Sequence, residues 1–171
     1  MTKKRIERVY SSLYDKLISE HVPELRLVDR SSLSLRERGT KYRLELSASL
    51  PTAAFCIDGQ IIREGLRCDK LVLIDTCCES PNWVEVFVEL KGTDVLHAIE
   101  QLKATIRKPE FEHPSNKRVK YARIVGHSFP GNKSDISIEK VKKEFRSLYS
   151  CDLRAIKSGK PDSIGVGEAQ A

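Results

Sequence analysis

Hydrophobic positions along this chain change period several times. From Lys4 to about Ser19, Ile6, Val9/Tyr10, Leu13 and Leu17 recur at intervals of three and four, the stripe of an amphipathic helix 4–19, and Pro23 marks its end. Residues 24 to 40 are polar and irregular. From Lys41 the period becomes two: Tyr42, Leu44, Leu46, Ala48 and Leu50 alternate with polar neighbours, which predicts a strand 41–50 with one wet face, stopped by Pro51. Asp58-Gly59, between Ala54-Phe55-Cys56-Ile57 and Gln60-Ile61-Ile62, carries the signal of a tight hairpin.

Two runs rich in Val, Ile, Leu and aromatics follow, 69–75 and 83–91, around the turn-forming segment 76–82. They read as an antiparallel pair. Val95, Ile99, Leu102 and Ile106 then predict a helix 94–107 with Thr93 or Asp94 as its N-cap. A loop at 108–117 precedes a strand 118–125. A last helix, starting near Asp135 or Ser137, places Ile138, Val141, Phe145 and Leu148 on one face and Lys140, Lys142, Lys143 and Arg146 elsewhere. Small residues dominate from Ser158, which predicts a disordered tail 158–171 after a single domain 1–157.

With 171 residues, 40% of them hydrophobic, the chain can bury one real core. No apolar run approaches the ~20 residues of a membrane span, and the N-terminus has no apolar signal core, so the expectation is a soluble cytoplasmic protein without a membrane partner. The net charge of +6 is unevenly spread: residues 117 to 160 hold 12 Lys+Arg against four acids. A basic C-terminal third fits a polyanionic partner, and equally a solvated lysine-rich helix face. The five cysteines, Cys56, Cys68, Cys77, Cys78 and Cys151, are odd in number and lack the paired short spacings of a zinc site, so reduced thiols are expected.

The chemistry concentrates in Trp83-Val84-Glu85-Val86-Phe87-Val88-Glu89-Leu90-Lys91. On a strand the valines and Leu90 point one way, and Glu85, Phe87, Glu89 and Lys91 the other. If 76–82 is the connection, Asp75 pairs with Trp83 and Asp69 falls opposite Glu89. Opposed like charges destabilise a sheet, so two carboxylates placed this way call for a cation. Asp69 and Glu89 could hold Mg²⁺ through hard oxygen ligands, the ion lowers the pKa of a water, and Lys91 stabilises charge on an attacked phosphate. The plain alternative is a solvent-facing Asp, Glu and Lys on a half-exposed hairpin. Asp94, His97, Gln101 and Thr105 form the non-core stripe of the next helix, and a Gln101 or His97 turned toward the sheet could reach a water or phosphate there.

These residues and their order resemble the PD-(D/E)xK nuclease superfamily, the restriction-endonuclease-like fold of archaeal Holliday-junction resolvases, many restriction enzymes and repair exonucleases. The resemblance covers helix 4–19, strand 41–50, strand 69–75 with Asp69, strand 83–91 with Glu89-x-Lys91, helix 94–107 with Gln101, and strand 118–125. It implies an αβββαβ core, a mixed central sheet flanked by helices, here followed by a basic C-terminal helix. By position, Asp69 is similar to the first metal-binding acid and Glu89 to the second. Leu90 matches the residue whose carbonyl also ligates the metal, Lys91 the catalytic lysine, and Gln101 the glutamine of several branches. Glu7 or Glu20 could supply a further acid. Cys68-Asp69 stands where the family has Pro-Asp.

What the resemblance implies is a Mg²⁺- or Mn²⁺-dependent nuclease acting on nucleic acid, DNA first. Lys117, Arg118, Lys120 and Arg123, with Lys140, Lys142 and Lys143 of the last helix, would grip phosphates. A homodimer or partner subunit is the family's habit where two strands are cut. The alternatives are an inactive nuclease-fold module that binds nucleic acid or supports an assembly, and a structural protein whose basic helix meets an acidic surface.

Overall fold

A computed structural model describes residues 10–76, 83–90, 94–113, 120–129 and 138–164. In chain order its elements are α1 (Leu13–Glu20), β1 (Leu25–Leu27), β2 (Ser32–Glu37), β3 (Thr40–Leu46), β4 (Thr52–Cys56), β5 (Lys70–Asp75), β6 (Trp83–Leu90), α2 (Val95–Ile106), a 3₁₀ turn (Pro109–Phe111), β7 (Lys120–Gly126), α3 (Ile138–Tyr149), β8 (Cys151–Lys157) and β9 (Pro161–Ile164). The fold is mixed α/β. A six-stranded sheet in the order β1-β4-β5-β6-β7-β8 carries the three helices on one face and a three-stranded sheet, β2-β3-β9, on the other.

Strands β1, β4, β5 and β6 pair antiparallel; β7 is parallel to β6, and β8 to β7. The parallel step from β6 to β7 requires a crossover, which α2 supplies. Every residue of β6 is buried, because its two faces serve two cores. Trp83 and Phe87 join Leu71, Leu73, Phe55 and the helix residues Leu13, Leu17, Ile99, Leu102 and Phe145. Val84, Val86, Val88 and Leu90 join Val72, Ile74 and the second sheet's Leu33, Leu35, Tyr42 and Leu44. The hairpin is therefore not half-exposed as its alternation implies.

Several expectations change. The first helix is described from Leu13, with Ser12 as N-cap accepting the Asp15 N–H at 3.1 Å; residues 1–9 lie outside the described set. Residues 24 to 40 hold two strands. Strand β3 ends at Leu46 and belongs to the second sheet, so β4, not 41–50, precedes β5 in the central sheet. Asp58-Gly59 closes a turn rather than a hairpin: the Ile57 carbonyl accepts the N–H groups of Gln60, Ile61 and Ile62 at 3.0–3.3 Å, and β4 pairs with β1 and β5 instead.

On α3, Leu148 is 64% exposed, and Tyr149 packs against the core beside Ile138 and Val141. The expected tail from Ser158 is ordered through Ile164, where β9 pairs parallel with β3 (Arg43↔Pro161 to Leu46↔Ile164). A buried ion pair fixes it there. Arg123 of β7 reaches Asp162 at 2.6 Å, and the Tyr42 hydroxyl donates to the same carboxylate at 2.7 Å. Among the described residues no helix is long and apolar enough to cross a membrane.

Candidate active site

The β5–β6 register runs from Asp75↔Trp83 to Lys70↔Val88, the pairing expected from the sequence. One step further, Asp69 and Glu89 face each other, with their side chains on the helical face. They are hydrogen-bonded crosswise. Glu89 Oε2 accepts the Asp69 N–H at 3.1 Å, and Asp69 Oδ2 accepts the Leu90 N–H at 2.7 Å. Bonds from a backbone N–H to a carboxylate are charge-assisted, and two of them fix both carboxylate planes. Glu89 is fully buried and Asp69 nearly so.

Helix α2 holds the approach to Asp69. The Gln101 side chain donates through Nε2 to the Arg67 carbonyl at 2.9 Å. Thr105 Oγ1 accepts the Cys68 N–H at 2.7 Å and donates to the Gln101 carbonyl at 2.7 Å. Both side chains are buried, so this part of the polar stripe faces the sheet rather than solvent. His97, by contrast, is exposed, its N–H donating at 3.0 Å to Asp94, the helix N-cap.

Two carboxylates and the Leu90 carbonyl are hard oxygen donors. Mg²⁺ typically binds one or two carboxylates and keeps several waters, so this donor set fits it. Among the described residues no group of three His, Cys, Asp or Glu side chains is placed to hold a metal ion. Cys56, Cys68 and Cys151 are free thiols, and Cys77 and Cys78 lie outside the described residues. Cys68 is buried and its thiol is pushed far up by that burial, and burial pushes the Cys151 thiol up to about 12.

Lys91, Lys117 and Arg118 lie outside the described residues, as does Glu7. Glu20 is exposed at the end of α1. Arg123, expected on a basic surface, is fully buried between Asp162 and Asp152. Lys120 is mostly covered and lies 3.8 Å from Glu85, whose carboxyl burial pushes up to about 7. On α3, Lys140 and Lys143 are exposed, while Lys142 lies 3.3 Å from Glu139. The β2–β3 hairpin was missed from the sequence. Its signal was present: Ser32-Leu33-Ser34-Leu35 alternates before Arg38-Gly39, where both residues take positive φ.

Comparisons with protein-family models, with curated proteins and with solved structures each find no match. The geometry alone carries the functional reading.

Proposed function

We propose that this chain is a Mg²⁺- or Mn²⁺-dependent nuclease that hydrolyses phosphodiester bonds, DNA first, on the αβββαβ plan of the PD-(D/E)xK superfamily. The order α1, β4, β5, β6, α2, β7 supports it, with three antiparallel strands and a fourth added parallel after a helical crossover. The observation that carries the reading is the crosswise bonding of Asp69 and Glu89. Like charges buried side by side are costly without cationic compensation. Their position, at the strand ends under α2, is where the superfamily places its acids.

In this reading Asp69, Glu89 and the Leu90 carbonyl hold the divalent ion. When bound, it supplies Lewis-acid polarisation of the scissile phosphate and lowers the pKa of the attacking water. The chain's own part is positioning. The two backbone N–H groups hold the carboxylates in place, Gln101 and Thr105 fix the 67–68 segment leading into Asp69, and the buried surroundings limit competing solvent. Lys91, two residues beyond Glu89 in the sequence, offsets charge building on the phosphate oxygens.

The test is cleavage of labelled duplex, junction, flap and single-stranded DNA with Mg²⁺ or Mn²⁺. Wild-type protein should cut at least one, and Glu89→Gln should cut none. A wild type that binds DNA yet cuts no substrate with either metal overturns the reading and leaves a binding module.

A further inference from the structure

The second sheet carries a group of cations to the end of the molecule that holds Asp69 and Glu89. Arg36 of β2 lies directly opposite Lys41 of β3. Leu35 and Tyr42 are buried beneath, so this pair sits on the sheet's outer side. Like charges opposed in this way destabilise an antiparallel pair unless an anion lies over them. Arg38 occupies the turn between the two strands, Lys157 ends β8 and Lys160 follows in the next turn.

The two turns are tied together. Gly159 N–H donates to the Lys41 carbonyl at 2.9 Å, Lys41 N–H donates to Ser158 Oγ at 2.9 Å, and His127 Nε2 lies 3.1 Å from the Gly39 carbonyl. Arg36, Arg38, Lys157 and Lys160 are exposed and Lys41 is half-buried. Among the described residues none of these five has an ion-pair partner, whereas neighbouring Arg43 lies 3.5 Å from Glu45. The acid within the group is Glu37, half-buried, its carboxyl raised by burial and by Asp69.

The strand rows place Lys157 of the group. Glu89 is level with Ile124 of β7, and Lys157 is level with Gly126, two residues further along. Strands lie about 4.8 Å apart, so β8 is about 10 Å from β6. That is about three base-pair rises of a nucleic-acid strand.

We propose that the turns around Arg38 and Ser158 form a phosphate-binding rim, in which Arg36, Arg38, Lys41, Lys157 and Lys160 hold the nucleic-acid backbone running past the Asp69–Glu89 pair. The choice of ligand rests on the nuclease reading. The rim, rather than α3, is the main electrostatic grip: on α3, Lys142 is paired with Glu139.

Binding of a short labelled duplex by the full chain, without divalent metal and across a salt series, tests this. A rim variant (Arg36→Gln, Lys41→Gln, Lys157→Gln, Lys160→Gln) should bind roughly tenfold or more weakly, and its log–log salt slope should flatten by about 0.9 for each phosphate no longer neutralised. A helix variant (Lys140→Gln, Lys142→Gln, Lys143→Gln) should stay close to wild type. Arg36→Gln alone should melt no lower than wild type at low salt, since it relieves repulsion; this separates weakened binding from failed folding. A rim variant that binds and cuts like wild type overturns the rim and leaves the nuclease reading standing. A wild type that cuts nothing, but whose binding depends on the rim, sinks the nuclease reading and supports the rim. No binding by wild type, or weakening confined to the helix variant, overturns the rim.

Discussion

The Arg123 guanidinium lies 2.6 Å from the Asp162 carboxylate, with the two side chains only 0% and 2% exposed. This pair joins the central sheet to the last described strand. Arg123 also donates to the Asp152 carbonyl at 2.7 Å, so its charge is met from two directions. Removing one member of such a pair leaves an uncompensated buried charge, at a cost of about 3–5 kcal/mol. Asp162→Ala should therefore lower stability by that order in urea unfolding, and Arg123→Met added to it should restore part of the loss. Wild-type stability in Asp162→Ala would show that the pair does not anchor β9.

In the proposed reaction Lys91 would act only on charge that develops in the transition state, so Lys91→Ala should reduce cleavage about 100-fold or more while leaving DNA affinity nearly unchanged. Glu89→Gln should lose cleavage together with Mg²⁺ affinity. The glutamine keeps an oxygen for the Asp69 N–H. Glu89→Ala removes that acceptor and should also destabilise the fold by about 1–3 kcal/mol, although it relieves repulsion between the two acids. Calorimetric Mg²⁺ titration of the Gln variant decides: undiminished binding would remove Glu89 from the metal site.

Thr105→Val deletes the acceptor for the buried Cys68 N–H. A loss of about 1–3 kcal/mol is expected, with Thr105→Ser restoring it. Because the freed segment leads directly into Asp69, kcat should fall in the valine variant while KM changes little. Equal melting temperatures for valine and serine variants would contradict this.

The buried Glu85 carboxyl sits at about 7, above its ordinary 4.5, chiefly through burial, with Lys120 pulling the other way. An acid raised by folding binds its proton more tightly in the native state, so the contribution of Glu85 to stability is fully present below pH 4.5 and is lost as pH rises through about 7. Glu85→Gln should flatten that part of the stability profile. An unchanged slope between wild type and variant would assign the dependence to other groups.

The Asp69–Glu89 relationship was legible because β5 and β6 are consecutive strands, and pairing Asp75 with Trp83 across the short stretch of sequence between them fixes every later partner. Gln101 was legible by spacing, but its partner was not: the Arg67 carbonyl belongs to an irregular segment without local pattern. The first strand of the central antiparallel run was misplaced because Thr52–Cys56 is buried almost throughout and shows no alternation, whereas Thr40–Leu46 alternates clearly. Strand β9 was invisible because Pro161-Asp162-Ser163-Ile164 has a loop's composition. What makes it a strand is the distant Arg123 and the open edge of β3. The basic rim shared this fate, since the β2–β3 turn and the turn after β8 are tied only by tertiary hydrogen bonds between Lys41 and Ser158–Gly159.

Tyr42 and Asp162 are bonded across 120 positions of chain. During synthesis β3 emerges early, yet its parallel neighbour is among the last described elements to leave the ribosome. Until then β3 keeps one unpaired edge, and Arg123 has no Asp162 to receive it. Pairings of such long range close slowly, and an open edge is a template for other chains. Nascent chains halted before Pro161 therefore keep an open β3 edge that exposes them to aggregation.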